Sequence, residues 1–141
     1  MIEIVGMAYK SQAYFDFMRQ QARRHAPRTM FRAVLNDPTD ELLAYVRSRS
    51  WPFPIDIYRD PDPNAYYLNR VYRCWNYCVE SSLADYVCLI NSDMAFSKGW
   101  LAALRRHASP TCVPTSRLVE SGKLKTGKYA IEKDFGRDPR S

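Results

Sequence analysis

The stretch Asp85-Tyr86-Val87-Cys88-Leu89-Ile90-Asn91-Ser92-Asp93-Met94 decides the fold of this chain. It begins as an apolar run rich in strand-forming residues and ends abruptly in three small polar residues. A run that is apolar on both faces predicts a strand buried on both sides, as in a parallel sheet. We therefore expect residues 86–90 to form the central, buried strand of an α/β domain.

The polar end of this strand is a candidate ligand site. Asp93 follows the strand directly, and open α/β sheets place their ligands at the carboxyl ends of their strands. Oxygen ligands suit hard cations such as Mg²⁺ or Mn²⁺, which share their shell between one or two carboxylates and substrate phosphates. The pattern predicts that Asp93 binds a divalent metal and that the metal binds a diphosphate. The alternative is a plain turn, because Asn, Ser and Asp dominate turns.

Length and charge limit the partners. The chain has 141 residues, which suits one domain, and 46% of them are hydrophobic, enough for a core. Lys and Arg number 21 against 15 for Asp and Glu, so the net charge is +6. This balance favours an anionic partner: a nucleotide diphosphate, nucleic acid or an acidic membrane surface. The basic residues are scattered and no nucleic-acid motif occurs, so we expect no nucleic-acid partner.

The sequence also predicts the compartment. No stretch approaches the roughly 20 apolar residues that cross a bilayer, so we expect no transmembrane segment. The N-terminus has neither the basic lead nor the cleavage site of a signal peptide. We therefore expect a cytoplasmic protein whose four cysteines are reduced core thiols rather than disulfides or zinc ligands.

The order of predicted elements is β-α-β-α-β-α-β-α-β. Helices are expected at 12–25 after Ser11, from Pro38 after an N-cap at Asp37, at 68–83, and after a cap at Ser97. Alternation of this kind predicts a mostly parallel sheet with right-handed crossovers. We expect one α/β domain over residues 1–116 and a basic polar segment over 117–141. The expected strands span residues 2–8, 30–35, 54–59, 85–90 and 111–115.

Four short motifs, in order, resemble those of the inverting nucleotide-sugar glycosyltransferases of family 2, which have the GT-A fold. The resemblance covers residues 2 to about 104. Its motifs are Met7-Ala8-Tyr9-Lys10 after the first strand, Leu35-Asn36-Asp37-Pro38-Thr39-Asp40 after the second, Leu68-Asn69-Arg70 on a helix, and Asn91-Ser92-Asp93 with Gly99-Trp100-Leu101 following.

The resemblance implies a Rossmann-like nucleotide-diphospho-sugar transferase fold and a hexosyltransferase activity assisted by Mn²⁺ or Mg²⁺. The donor would be a nucleotide diphosphate sugar, and the acceptor hydroxyl would belong to a glycan, a lipid or a protein. The family's catalytic base lies in a late acidic pair, which here is Glu132 and Asp134. The metal ligand would be Asp93, and the nucleotide-sugar contacts would be Tyr9, Asn36, Asn69, Arg70 and Asn91.

The sequence departs from the family pattern at three positions. Asn91 replaces the first aspartate of the metal motif, Asn36 replaces the aspartate that contacts the base, and Pro38 replaces a glycine. Family domains are also longer, so the resemblance implies that the acceptor half is abbreviated or missing here.

Three alternatives stay open at this stage. The first is a non-catalytic domain that binds a nucleotide sugar or a partner. The second is a phosphate-binding P-loop at residues 122–128, although Tyr129 replaces the Ser or Thr that such a loop needs. The third is a nucleic-acid binder, which charge alone suggests.

Overall fold

Strands and helices alternate along the chain, as the sequence predicts. The computed structural model describes residues 1–115. Two compact units divide the chain, Met1–Lys98 and Gly99–Ser141. The second unit contributes one described helix, α4 (Trp100–His107). The first contains β1 (Ile2–Ala8), α1 (Gln12–His25), β2 (Met30–Asn36), α2 (Asp40–Arg47), β3 (Ile55–Tyr58), α3 (Tyr67–Glu80) and β4 (Tyr86–Asn91).

The sheet has four parallel strands in the order β3-β2-β1-β4. The predicted parallel α/β architecture is therefore confirmed, and it is of a general Rossmann-like kind. The narrower GT-A assignment stays a prediction. None of the described helices is long and apolar enough to cross a bilayer.

The position of β4 in the sheet corrects one prediction. Among the described strands β4 is at the edge, paired only with β1, rather than central. Tyr86 is 40% exposed, Val87 and Leu89 are half-buried, and only Ile90 is buried. An edge strand has one hydrogen-bonded neighbour, so less of its surface is covered, and an apolar sequence does not reveal this difference.

The expected fifth strand is also wrong. Residues 111–115 form no strand; the described chain has only an isolated antiparallel bridge between Ser109 and Cys112. Pro114 lacks the N–H that a ladder needs.

The prediction of four core cysteines is wrong for one of them. Cys112 is exposed, so it is not a core thiol, while Cys74 and Cys78 are fully buried. All four cysteines are free.

The helix starts differ from prediction in two of the four cases. Ser11 caps α1 as expected, and its Oγ accepts from the backbone N–H of Tyr14 at 3.2 Å. The N-cap of α2 is Thr39 rather than Asp37, which has a left-handed φ of 43°. Gly99, with a φ of 79°, precedes α4 in place of Ser97.

The core lies on both faces of the sheet. On one face, Val5 of β1 and Val34 of β2 pack with Cys74 and Cys78 of α3. The other face carries α1, whose buried side chains are Phe15, Met18 and Ala22. Because helices cover both faces, the open crevice is at the ends of the strands.

Candidate site at the carboxyl ends of the strands

The strand order creates a crevice beside β1. From β1 the chain adds β2 and then β3 on one side, and it then returns to place β4 on the other side of β1. In open parallel α/β sheets the ligand binds at such a reversal, outside the carboxyl ends of the strands. The reversal point here lies between β1 and β4.

A cavity of about 410 Å³ lies at these strand ends. This volume is within the range of about 300–1,000 Å³ typical of small-molecule sites. Its walls come from the end of β1 and the turn into α1, the ends of β2 and β4, and one face of α3. The topology and the cavity therefore identify the same place.

Tyr9 and Asn36 line this cavity together, as the sequence predicts. Their strands are neighbours, because Ala8 of β1 is paired with Leu35 of β2. Asn36 is only 7% exposed, and its Oδ1 has no hydrogen-bond partner among the described residues. Tyr9 is 51% exposed, so much of its ring is accessible to a ligand. Buried polar atoms are rarely left without partners, so Oδ1 of Asn36 can accept a hydrogen bond from a ligand or from a water molecule.

The end of β4 supplies three more polar side chains to the wall. Asn91, Ser92 and Asp93 all line the cavity, and Asn91 is paired with Met7 of β1. The Oδ1 of Asn91 is also buried without a partner in the described part of the chain. Asp93 is exposed and forms no hydrogen bond or ion pair with the described residues. Neither side chain is therefore committed to holding the turn together.

The donor set fits a hard cation in type, though it is small. Residues 1–115 contain no group of three His, Cys, Asp or Glu side chains that could hold a metal ion. Asp93 is the one carboxylate among the residues that line the described cavity, and Asn91 adds an unpartnered amide oxygen. Mg²⁺ is commonly bound by one or two carboxylates, with water and substrate phosphates completing its shell.

Asn69 and Arg70, the other two predicted nucleotide contacts, are not among the residues that line the cavity. Arg70 instead donates to Oδ2 of Asp37 from Nε at 3.1 Å and from Nη2 at 2.6 Å. Its Nη1 donates to the carbonyl oxygen of Pro63 at 3.4 Å. The guanidinium fork that was expected to bind phosphate is therefore occupied by the loop after β2.

Asp37 is the anchor of that loop. Burial raises the pKa of its carboxyl, but the hydrogen bonds from Arg70 and from the backbone N–H of Asp60 outweigh burial and leave the pKa below its usual value. The backbone of Asp37 is in the left-handed region, which Asp tolerates better than most residues. Its role is structural.

Sequence reasoning missed the aromatic rim of the cavity. Tyr14 of α1 and Tyr67 of α3 line it, and both are more than half exposed. Tyr67 and Val71 are four residues apart, so one helix face presents both of them. The sequence signal that could have indicated this face was the four-residue spacing of Tyr67 and Val71, which flank the Asn69–Arg70 pair. Tyr14 occurs at helical spacing with Met18 and Ala22, so the sequence pattern alone places it with the apolar face of α1.

Two sequence-based candidates lie outside the described residues. The predicted base residues Glu132 and Asp134 belong to residues 116–141, and so does the basic loop at 122–128.

No protein-family model matches this chain, and no curated protein or solved structure is similar enough to count as a relative.

Proposed function

We propose that residues 1–98 bind a nucleotide diphosphate sugar and that the chain is a metal-assisted glycosyltransferase. One observation carries the proposal: the cavity at the reversal point is lined by Asn36 and Asn91, and the amide oxygen of each is buried without a partner in the described chain. A nucleotide sugar offers the N–H and hydroxyl donors that these oxygens lack. It also offers a planar base for the exposed ring of Tyr9.

Each wall residue has a defined task in this proposal. Asn36 hydrogen-bonds an edge of the base, and Tyr9 stacks on its face. Asn91 accepts a hydrogen bond from a ribose or sugar hydroxyl. Asp93 would bind Mg²⁺ or Mn²⁺, which when bound supplies positive charge beside the leaving diphosphate. The acceptor, a glycan, lipid or protein hydroxyl, needs a general base. Glu132 and Asp134 keep that role as sequence-based candidates only.

A non-catalytic nucleotide-sugar-binding domain is the second candidate. It is favoured by the single carboxylate on the described cavity wall, because a metal ligand cannot at the same time act as the free base for the acceptor. The two candidates share the same ligand and differ only in turnover.

Calorimetric titration of the full chain with UDP- and GDP-sugars, with and without Mn²⁺, tests binding. Release of the free nucleoside diphosphate in the presence of candidate acceptors then separates the enzyme from the binding domain. Saturable binding of one nucleotide sugar, strengthened by Mn²⁺, is the expected result. Absence of binding to every nucleotide sugar contradicts both candidates.

A further inference from the structure

The cavity has a cationic side that the proposed function does not use. The turn from β1 into α1 contributes Lys10 and Ser11 to the wall, and the first turn of α1 contributes Tyr14. Lys10 is exposed and forms no ion pair within residues 1–115. Its Nζ lies 5.2 Å from the centroid of the Tyr9 ring, so the charge and the proposed stacking surface are adjacent.

The start of α1 adds backbone donors to this side. Ser11 Oγ accepts from the N–H of Tyr14, and the carbonyl of Ser11 accepts from Phe15 at 3.0 Å. Gln12 and Ala13 come before Tyr14 and Phe15 in the first turn, and the helix supplies no acceptor for their N–H groups. The positive end of the helix dipole therefore lies at the cavity wall.

The first turn of α1 carries no acidic residue of its own. The first turn of α2, by contrast, contains Asp40 and Glu41. Acidic residues in the first turn stabilise a helix by interacting with the positive end of its dipole. Because the first turn of α1 has none, an external anion can bind at this helix N-terminus. The one acidic residue on the described wall, Asp93, comes from β4 instead.

An independent observation indicates a ligand in the same cavity. Asn36 is more than nine-tenths buried, lines the cavity, and has an Oδ1 without a partner in the described chain. That oxygen requires a donor group on the ligand, whereas Lys10 and α1 require an anion. A nucleotide carries both: N–H and hydroxyl donors at one end and phosphate at the other.

We propose that Lys10 and the first turn of α1 bind the phosphates of the nucleotide directly, so that phosphate recognition does not depend on a metal. The inference deepens the proposed function and rests on it for the identity of the ligand as a nucleotide. A metal at Asp93 then adds affinity to a phosphate that the protein already holds.

Titration of the full chain with UDP, GDP and the two nucleosides in EDTA tests the inference. We expect the preferred diphosphate to bind at least about tenfold more tightly than its nucleoside, because charge-assisted hydrogen bonds are the strong ones. Lys10→Met should remove most of this difference, because diphosphate affinity should fall far more than nucleoside affinity. Arg24→Met is the matched control, because Arg24 is an exposed cation in the last turn of the same helix.

A second variant separates binding from folding. Gln12→Glu places a carboxylate in the first turn of α1, where it should raise the melting temperature through the helix dipole. The same charge should weaken diphosphate binding several-fold by repulsion. A merely structural first turn would show the first effect without the second.

The outcomes distinguish this inference from the proposed function. Diphosphate binding that appears only with Mn²⁺, or that Lys10→Met and Arg24→Met weaken equally, overturns the inference and leaves the proposed function standing. If no nucleotide binds but inorganic pyrophosphate does, in EDTA and only with Lys10 intact, the anion subsite stands and the proposed nucleotide ligand is wrong. If neither nucleotides nor pyrophosphate bind, both proposals fail.

Discussion

Asn36 holds a buried oxygen that receives no hydrogen bond from residues 1–115, and such a group costs about 1–3 kcal/mol. We predict that Asn36→Leu, a change of similar volume, leaves the free energy of unfolding unchanged or raises it by about 1 kcal/mol. The same variant should lose about tenfold or more in nucleoside affinity, because its hydrogen bond to the base is gone. Denaturant titration and calorimetry measure the two quantities.

Asn76→Leu is the control for this prediction. Asn76 is an exposed residue of α3 and does not line the cavity. It should leave nucleoside affinity unchanged. A loss of stability of more than about 2 kcal/mol in Asn36→Leu would assign Asn36 to the core hydrogen bonding of the fold instead of to a ligand.

Asp93 is the residue at which the proposed metal site can be tested. Asp93→Ala should reduce diphosphate affinity in Mn²⁺ to the level measured in EDTA, because the one wall carboxylate is removed. Stability should change by no more than about 0.5 kcal/mol, since Asp93 is exposed and has no partner among the described residues. Asn91→Asp should tighten Mn²⁺ binding by adding a charge.

Glu80→Ala controls for the loss of one exposed negative charge away from the cavity. If Asp93→Ala retains the full effect of Mn²⁺, or unfolds the domain, Asp93 is a residue of the turn and binds no metal. Competition titrations with Mn²⁺ alone and with UDP present distinguish these results.

The residues of the site were predictable where strand ends carry them. Tyr9, Asn36, Asn91 and Asp93 follow apolar runs directly, and parallel strands bring their carboxyl ends to one edge of the sheet. Helix-borne residues were harder, because which face of a helix meets the cavity depends on packing. Asn69 and Arg70 were expected there, and Tyr67 is there instead.

At the scale of elements, the contact of β1 with α1 depends on Gly6. A Cβ at Gly6 would lie 2.4 Å from Sδ and 2.9 Å from Cε of Met18, which is fully buried. We predict that Gly6→Ala lowers the free energy of unfolding by about 1–3 kcal/mol through overpacking. Chemical denaturation of both single variants and of the double variant with Met18→Ala measures the coupling.

The double variant should be more stable than the sum of the single effects predicts, because the added methyl group occupies space that Met18 vacates. Strict additivity would mean that the methyl group and Met18 do not compete for the same space. Met18→Ala alone should cost about 2–5 kcal/mol as a cavity in the core.

Helix positions followed from the sequence better than helix starts did. The bounds of α1 match the prediction, since Ser11 is the only good capping residue before its apolar face. Before α2 the sequence predicts a cap at Asp37, but Thr39 takes the role. The choice depends on a tertiary contact, because Asp37 pairs with Arg70, 33 residues later.

For the whole molecule, the alternation of elements predicted the parallel sheet but not the order of its strands. Apolar runs indicate burial against something, and they do not say on how many sides. The run at residues 86–90 was therefore expected at the centre, where β1 and β2 lie instead, while β4 is at the edge of the described sheet. The strand order is decided by long-range packing, which short patterns do not encode.

Arg32 connects four elements at the end of the sheet away from the cavity. Its side chain is buried, and it donates to Glu3 of β1 at 3.1 Å, to Asp56 of β3 at 2.6 Å and to the carbonyl of Cys78 in α3 at 3.0 Å. Glu3 is equally buried, and Ser82 donates to its Oε2 at 2.6 Å. A buried pair of this kind stabilises a fold only as long as both partners are present.

We predict that Arg32→Met lowers the free energy of unfolding by about 3–5 kcal/mol, because it leaves the carboxylate of Glu3 buried without its cation. The double variant Arg32→Met with Glu3→Gln should recover most of that loss, because no charge then remains buried without a partner. Arg47→Met, which removes an exposed cation from α2, should cost less than about 0.5 kcal/mol. Because the network is far from the strand ends that line the cavity, nucleotide affinity of the folded double variant should equal that of the wild type. A double variant no more stable than Arg32→Met would show that the guanidinium acts through its bonds to Asp56 and Cys78, and not by neutralising Glu3.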